Sequence, residues 1–261
     1  MSSVERRSGI EWTGFTWNPW QGCKKVSSGC LNCYMFREKK YYGQDPTTIV
    51  RSKKPTFNKP LRLTDPSLIF TCSWSDFFLE EADEWRSEAW DIIRRTPHHT
   101  YQILTKRPER IKECLPEDWG EGWDNVWLGV TVENQDNIDR ARILILNVKA
   151  KLRFISAEPL IGDVDLKVQV VDGSPGIGPL VIEFIDWVIV GGESGPGCRA
   201  MDPAWASDLR DQCQEEGVAY FLKQLGGHPN KRAGDQAILD GIRIVEYPAR
   251  QTGDVSVDDF F

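Results

Sequence analysis

Val126-Trp127-Leu128-Gly129-Val130-Thr131-Val132-Glu133-Asn134 runs from an apolar, β-branched stretch straight into a carboxylate and an amide. The run has no polar alternation, the pattern of a strand covered on both faces in a parallel sheet. The same grammar recurs outward from it, at Leu68–Ser73, Tyr101–Thr105, Leu152–Ser156, Trp187–Val190 and Val218–Leu222. Spacers of helical length separate the runs, and those at 80–95, 134–147 and 203–216 are amphipathic, with Pro203 placed to open a helix. With one more strand leading into Cys23, the chain reads as α/β: a partial (β/α) barrel of about six to seven βα units. All 261 residues fit one domain. The Gly/Pro-rich segment 171–180 reads as a flexible loop within it, not a linker.

The residues just past each run carry chemistry. The first run ends in Cys72-Ser73-Trp74-Ser75-Asp76 and the second in Lys106-Arg107-Pro108. Then come Glu133-Asn134, Ala157-Glu158-Pro159, Gly191-Gly192-Glu193-Ser194-Gly195 and Lys223-Gln224. In a barrel these C-terminal strand ends share one rim, where active sites are built. Each residue alone is ordinary turn or cap chemistry; six consecutive decorated ends point to a site.

The densest signal lies upstream. Cys23, Cys30 and Cys33 fall within eleven residues, spaced C-x6-C-x2-C. A structural zinc site takes four protein ligands and an ordinary [4Fe–4S] cluster four thiolates. Three thiolates leave one iron open to a small molecule such as S-adenosylmethionine, and chemistry of that kind is borne by the cofactor. The competing reading is a zinc knuckle completed by Cys72 or His98. Cys72, Cys114 and Cys213 read as small core residues, and His98-His99 as a surface turn.

Bulk properties narrow the classes. The composition, 40% hydrophobic and 27% charged, is that of a globular protein with a full core. No run reaches the ~18 apolar residues of a membrane span, and the N-terminus lacks a signal-peptide core, so a cytoplasmic location is expected. In that reducing compartment the seven cysteines are expected to be metal-bound or free. The net charge of −7 argues against wholesale coating of nucleic acid, but residues 1–62 hold twelve Lys/Arg against four acids. That local +8 beside the cysteine loop could receive phosphates or a ligand carboxylate. Eleven Trp is a high count, and Trp12, Trp17 and Trp20 are placed to shield a cluster from water.

Several phrases together resemble the phage Gp37/Gp68 family, the three-Cys-motif proteins, divergent relatives of the radical S-adenosylmethionine enzymes. They are Asn18-Pro19-Trp20-x-Gly22-Cys23, Gly29-Cys30-x-x-Cys33-Tyr34, Leu104-Thr105-Lys106-Arg107-Pro108, the run at Val126, Ser156-Ala157-Glu158-Pro159-Leu160, Val190–Gly197 and Leu239-Asp240-Gly241. The likeness spans about Trp12 to Pro248. It implies a radical-SAM-like partial barrel with a [4Fe–4S] cluster near the first strand, held by Cys23, Cys30 and Cys33, and S-adenosyl-L-methionine as co-substrate. Two features depart from the wider superfamily. The first cysteine gap is six rather than three, with Asn32 where an aromatic is usual. And Gly191-Gly192-Glu193 comes four strands later than the superfamily's Gly-Gly-Glu, so the two are not equated.

The resemblance also distributes roles. Ser73, Ser75 and Asp76 are candidates for the methionine amine, and Lys106 or Arg107 for its carboxylate. Glu133 and Asn134 suit ribose hydroxyls; Ser156 and Glu158 suit ribose or substrate. Gly191 and Gly192 would let backbone approach the adenosyl group or substrate, with Glu193 and Ser194 contacting it. Cys198 is the candidate for returning a hydrogen atom to a product radical. Expected partners are an electron donor such as flavodoxin or ferredoxin, a protein encoded nearby, and nucleic acid as a possible substrate; no membrane is expected. The alternative is a zinc- or Fe–S-containing nucleic-acid-binding or redox module without S-adenosylmethionine chemistry.

Overall fold

A computed structural model describes residues 8–171 and 178–249. Seven strands form one parallel sheet that curls into a half-barrel. In spatial order they are β1 (Phe15–Trp17), β4 (Leu68–Thr71), β5 (Thr100–Thr105), β6 (Val126–Thr131), β7 (Leu152–Ala157), β8 (Trp187–Gly191) and β9 (Ala219–Gln224). A separate antiparallel pair, β2 (Trp20–Gln21) and β3 (Val50–Arg51), sits between β1 and β4 in sequence. The helices are α1 (Tyr34–Tyr41), α2 (Lys54–Phe57), α3 (Asp83–Arg95), α4 (Ile111–Cys114), α5 (Asp139–Asn147) and α6 (Pro203–Glu216). Between β7 and β8 the described crossover carries only the short 3-10 turn Val181–Phe184, so that unit lacks its helix. Of the loop expected at 171–180, residues 172–177 lie outside the described residues. Among the described residues no helix is long and apolar enough to cross a membrane.

Alternation along the strands divides the core in two. One set of side chains, among them Ile69, Tyr101, Ile103, Val126, Leu128, Val130, Ile155, Val188, Val190, Tyr220 and Leu222, packs beneath the helices. The other set fills the concave face with Phe70, Trp127, Phe154, Trp187, Ile189 and Phe221, closed below by Trp12. Register explains the layering: Leu104, Gly129, Phe154, Trp187 and Ala219 stand side by side across five strands. Burying each of these large side chains contributes about 1.5–3 kcal/mol.

The helices follow their sequence signals. In α6, Asp202 accepts from the Ala204 amide, Pro203 occupies the first turn, and Gly217 ends the helix in the left-handed region at φ 69°. Ala206, Leu209 and Cys213 bury its one apolar stripe. In α3 the stripe Arg86, Ala89, Trp90 and Ile93 is buried, and the Arg86 guanidinium is spent on the carbonyls of Phe77 and Leu79. His99, expected in a surface turn, is instead fully buried ahead of β5, its Nε2 within hydrogen-bonding distance of the Pro60 and Leu63 carbonyls. Burial pushes its pKa down to about 4.

Candidate functional site

A cavity of about 420 Å³ lies over the C-terminal ends of the strands, the place the topology favours for ligands. Its floor is the upper concave face, including Phe70, Leu104, Thr131 and Ser156. Its roof is the cysteine loop: Cys23, Cys30 and Cys33 all line it. Cys72, Ser73, Ser75, Asp76, Lys106, Arg107, Glu158, Gly192 and Glu193 complete most of the wall. Of the three tryptophans expected to shield this region, Trp12 lines the cavity. Trp17 and Trp20 are buried in the other core layer, their indole N–H groups donating to the Phe57 and Asp76 carbonyls.

Four carboxylates ring the site, and each is paired with a cation. Asp76 is almost fully buried and accepts four hydrogen bonds: Thr105 Oγ1 at 2.7 Å, the Phe78 amide at 3.0 Å, the Lys106 amide at 3.1 Å and Arg107 Nη1 at 3.0 Å. Those match the four lone-pair sites of a carboxylate, so Asp76 holds the β5 rim in place where it lines the cavity. Glu133, 0% exposed, accepts from Ser27 Oγ at 2.6 Å, Lys106 Nζ at 2.8 Å and Arg140 Nη1 at 2.6 Å. Glu193 is bound by the Arg199 side chain, through Nε at 3.0 Å and Nη2 at 2.5 Å, and by the Arg199 amide at 2.8 Å. Glu158 pairs with Lys223. Burial opposes ionisation of Glu133 and Glu193, yet their partners outweigh it and hold both carboxyls below the ordinary carboxylate range.

The same network seats the cysteine loop. Arg107 Nη2 donates to the Lys24 carbonyl at 2.8 Å, and its Nη1 lies 4.0 Å from Cys23 Sγ. Ser27 donates to Glu133, Asn32 Nδ2 to Glu193 Oε2 at 2.8 Å and to the Gly197 carbonyl at 2.9 Å, and the Tyr34 hydroxyl to the Ser73 carbonyl. Gly29 is buried against Glu133 so closely that a Cβ there would lie 2.3 Å from Oε1. Thus the loop between β2 and α1 is fastened to the ends of β4, β5, β6 and β8. Asn32, between Cys30 and Cys33, is one of its fasteners.

The cysteine thiols sit in a field shaped by this frame. Cys23 is pushed up to about 12, first by burial and then by Asp76, with Arg107 pulling the other way and Cys30 and Cys33 adding to the rise. From Lys24 to Ser28 the backbone amides donate to no backbone oxygen among the described residues. Among those residues no group of three or more His, Cys, Asp or Glu could hold a metal ion as the side chains stand. Ligands of one tetrahedral zinc ion would have sulfurs only about 3.8 Å apart. His98 lies ahead of β5, at the other end of the sheet from the cysteine loop.

Other candidate residues fall into two groups. Ser73 accepts from Asn18 Nδ2 at 3.0 Å and Ser75 donates to the Gly22 carbonyl at 2.6 Å, knitting the β4 rim to the turn before Cys23. Ser156 faces the cavity floor. Gly192 lets β8 run against the extension of β9, since a Cβ there would lie 2.4 Å from the Leu225 carbonyl oxygen; Gly191 lies under the Glu158 carboxyl. Asn134 and Cys198 do not line the cavity. Asn134 bonds instead with Asp136 and Asn137, at the start of the 3-10 turn before α5. Arg140 and Arg199, which complete two of the ion pairs, carried no motif in the sequence; their contribution comes only from the fold.

No curated protein and no solved structure is significantly similar to the chain. One family profile does match, over residues 7–253, described as "Protein of unknown function (DUF5131)". With nearly its whole length covered, the chain belongs to the DUF5131 family.

Proposed function

We propose that the protein is a radical S-adenosylmethionine enzyme of the three-Cys-motif kind, with Cys23, Cys30 and Cys33 holding a [4Fe–4S] cluster. The observation that carries this reading is that all three cysteines of a single loop line one cavity at the C-terminal rim of a parallel half-barrel. Thiolates on three different irons stand further apart than ligands of one ion, so the spacing required of a single-ion site does not apply to a cluster. When bound, a cluster with an open iron supplies one-electron reductive cleavage of S-adenosylmethionine, yielding methionine and a hydrogen-abstracting 5′-deoxyadenosyl radical.

The chain's residues do the rest. Arg107 sets a fixed positive charge against Cys23 and favours its thiolate, and the free amides of Lys24–Ser28 are available as donors to sulfur. Lys106, Arg107 and Lys223 line the cavity as cations paired with Glu133, Asp76 and Glu158; Lys106 or Arg107, and beside them Lys223, are the candidates for the methionine carboxylate. Ser156 and Thr131 offer hydroxyls on the floor for ribose or substrate. Phe70, Leu104 and Trp12 keep the floor apolar and exclude water. The test is anaerobic incubation of iron- and sulfide-reconstituted protein with reductant and S-adenosylmethionine. The expected result is 5′-deoxyadenosine by mass spectrometry, abolished in Cys23→Ala, Cys30→Ala and Cys33→Ala. Equal product from the alanine variants refutes the assignment.

A further inference from the structure

A second groove, of about 600 Å³, opens between the β2–β3 pair and the far end of α1 and shares no lining residue with the cavity. Three cations line it: Lys39, Arg51 and Lys53. Arg51 is tied to Glu88 and stacked 3.9 Å over the Phe57 ring. Lys39 is different. Only 3% of it is exposed, yet its ammonium has neither a hydrogen bond nor an ion pair among the described residues. The groove's one acid, Asp45, acts on that ammonium only through space, its oxygens being spent within their own turn on the Thr47 amide and the Thr47 and Thr48 hydroxyls. The ammonium is not one of the fully buried atoms left without a partner, so it opens on the groove, where an external anion can reach it.

Between the groove-lining Lys39 and Gln44 in sequence come two aromatic rings that do not line the groove themselves. Tyr41 and Tyr42, at the end of α1, are 83% and 69% exposed, with ring centroids 5.1 Å apart. Their turn is fixed to the groove wall, because the Gln44 amide donates to the Lys39 carbonyl at 2.8 Å. Cations for phosphodiesters next to free aromatic faces are the pairing that binds unpaired bases and their backbone. We infer that the Lys39 groove and the Tyr41–Tyr42 platform bind single-stranded nucleic acid. A duplex offers the groove its phosphates but keeps its bases from the rings.

The placement ties this site to the cavity. Tyr34, Met35 and Phe36 of α1 line the cavity and Lys39 lines the groove, about 4.5–7.5 Å further along the same helix. Gln21 likewise faces the groove and Cys23 the cavity. A strand seated in the groove is thereby led to the cavity mouth, which names a substrate class for the proposed enzyme. Binding itself requires neither cluster nor S-adenosylmethionine, so it can be tested apart from that reading.

The experiment is fluorescence anisotropy of labelled 12-nucleotide DNA and RNA single strands and a DNA duplex, against both iron-free and reconstituted protein, across a salt series. Expected is binding of a single strand by both forms, preferred over the duplex, with a log–log salt slope of about −2 for three phosphate contacts. Preference for DNA or for RNA identifies which is the ligand. Tyr41→Ala/Tyr42→Ala should weaken binding about fivefold or more, and Lys39→Met should flatten the slope by about 0.7. Lys149→Ala, at the other end of the sheet, should change neither. The tyrosines are exposed, so their removal leaves folding intact. Absence of single-strand binding, equal affinity for duplex, or binding indifferent to the tyrosine and lysine changes overturns the inference. Binding without 5′-deoxyadenosine formation would instead refute only the enzymatic proposal.

Discussion

Replacing Glu133 by Gln keeps the shape of the side chain but takes one negative charge from between two cations. Glu133 is fully buried, while the side chains of Lys106 and Arg140 are 19% and 12% exposed. Removing one partner of a buried pair costs roughly 3–5 kcal/mol, and the partial access of both cations to water places this case near 3. For a chain of this size that corresponds to a fall in Tm of about 6–12 °C. The assay is thermal unfolding followed by tryptophan fluorescence, wild type against Glu133→Gln, between pH 7 and pH 3. Burial pushes the Glu133 carboxyl up, but Lys106 and Arg140, with the hydrogen bonds from Lys106 and Ser27, bring it net below its ordinary value. Its folded pKa is therefore depressed, so its stabilisation is complete above the unfolded value near ~4.3 and is lost as pH falls through the folded value. The gap between the proteins should be full at pH 7 and close in acid. Lys106→Met should cost less in the Glu133→Gln background than in the wild type. A gap below about 1 kcal/mol at pH 7, or one that persists unchanged to pH 3, would refute the view that Glu133 is a charged fastener of the cysteine loop.

The same geometry sets three further expectations. Gly29→Ala puts a Cβ 2.3 Å from Glu133 Oε1 and should destabilise by about 1–3 kcal/mol while lowering iron uptake on reconstitution, read by denaturant titration and metal analysis. His99 is held down at about 4 by burial, so the fold keeps it neutral; stability contributed above the unfolded value of ~6.5 should be lost as pH falls toward 4, by about 3 kcal/mol in all, and His99→Gln should flatten that slope in urea titrations. Lys223→Met removes one half of a partly exposed pair and should shift stability by less than about 1 kcal/mol, while weakening S-adenosylmethionine binding in calorimetry at least tenfold if Lys223 receives the carboxylate.

The strands were legible because both their faces are buried. The apolar runs at 68, 101, 126, 152, 187 and 218 each became a strand within a residue or two of its reading, and α6 matched its cap signals from Pro203 to Glu216. His99 escaped because a dipeptide of histidines after proline looks like a turn, and nothing local tells that Pro60 and Leu63 close over it. The candidate site was legible as a set of strand ends, since the register of a parallel sheet brings them to one rim. Its internal wiring was not. Ser27 meets Glu133 across 106 residues and Asn32 meets Glu193 across 161, contacts that no spacing rule encodes. Pairing consumes Asp76 within the frame, and only the fold reveals that Arg140 and Arg199 balance the buried acids.

The most direct test of the central claim is EPR of the dithionite-reduced, anaerobically reconstituted protein, recorded with and without S-adenosylmethionine. The account predicts a reduced cubane signal that changes when the ligand is added and disappears in Cys30→Ala. A protein that takes up no iron with Cys23, Cys30 and Cys33 intact, or retains one tightly bound zinc in its place, would contradict it.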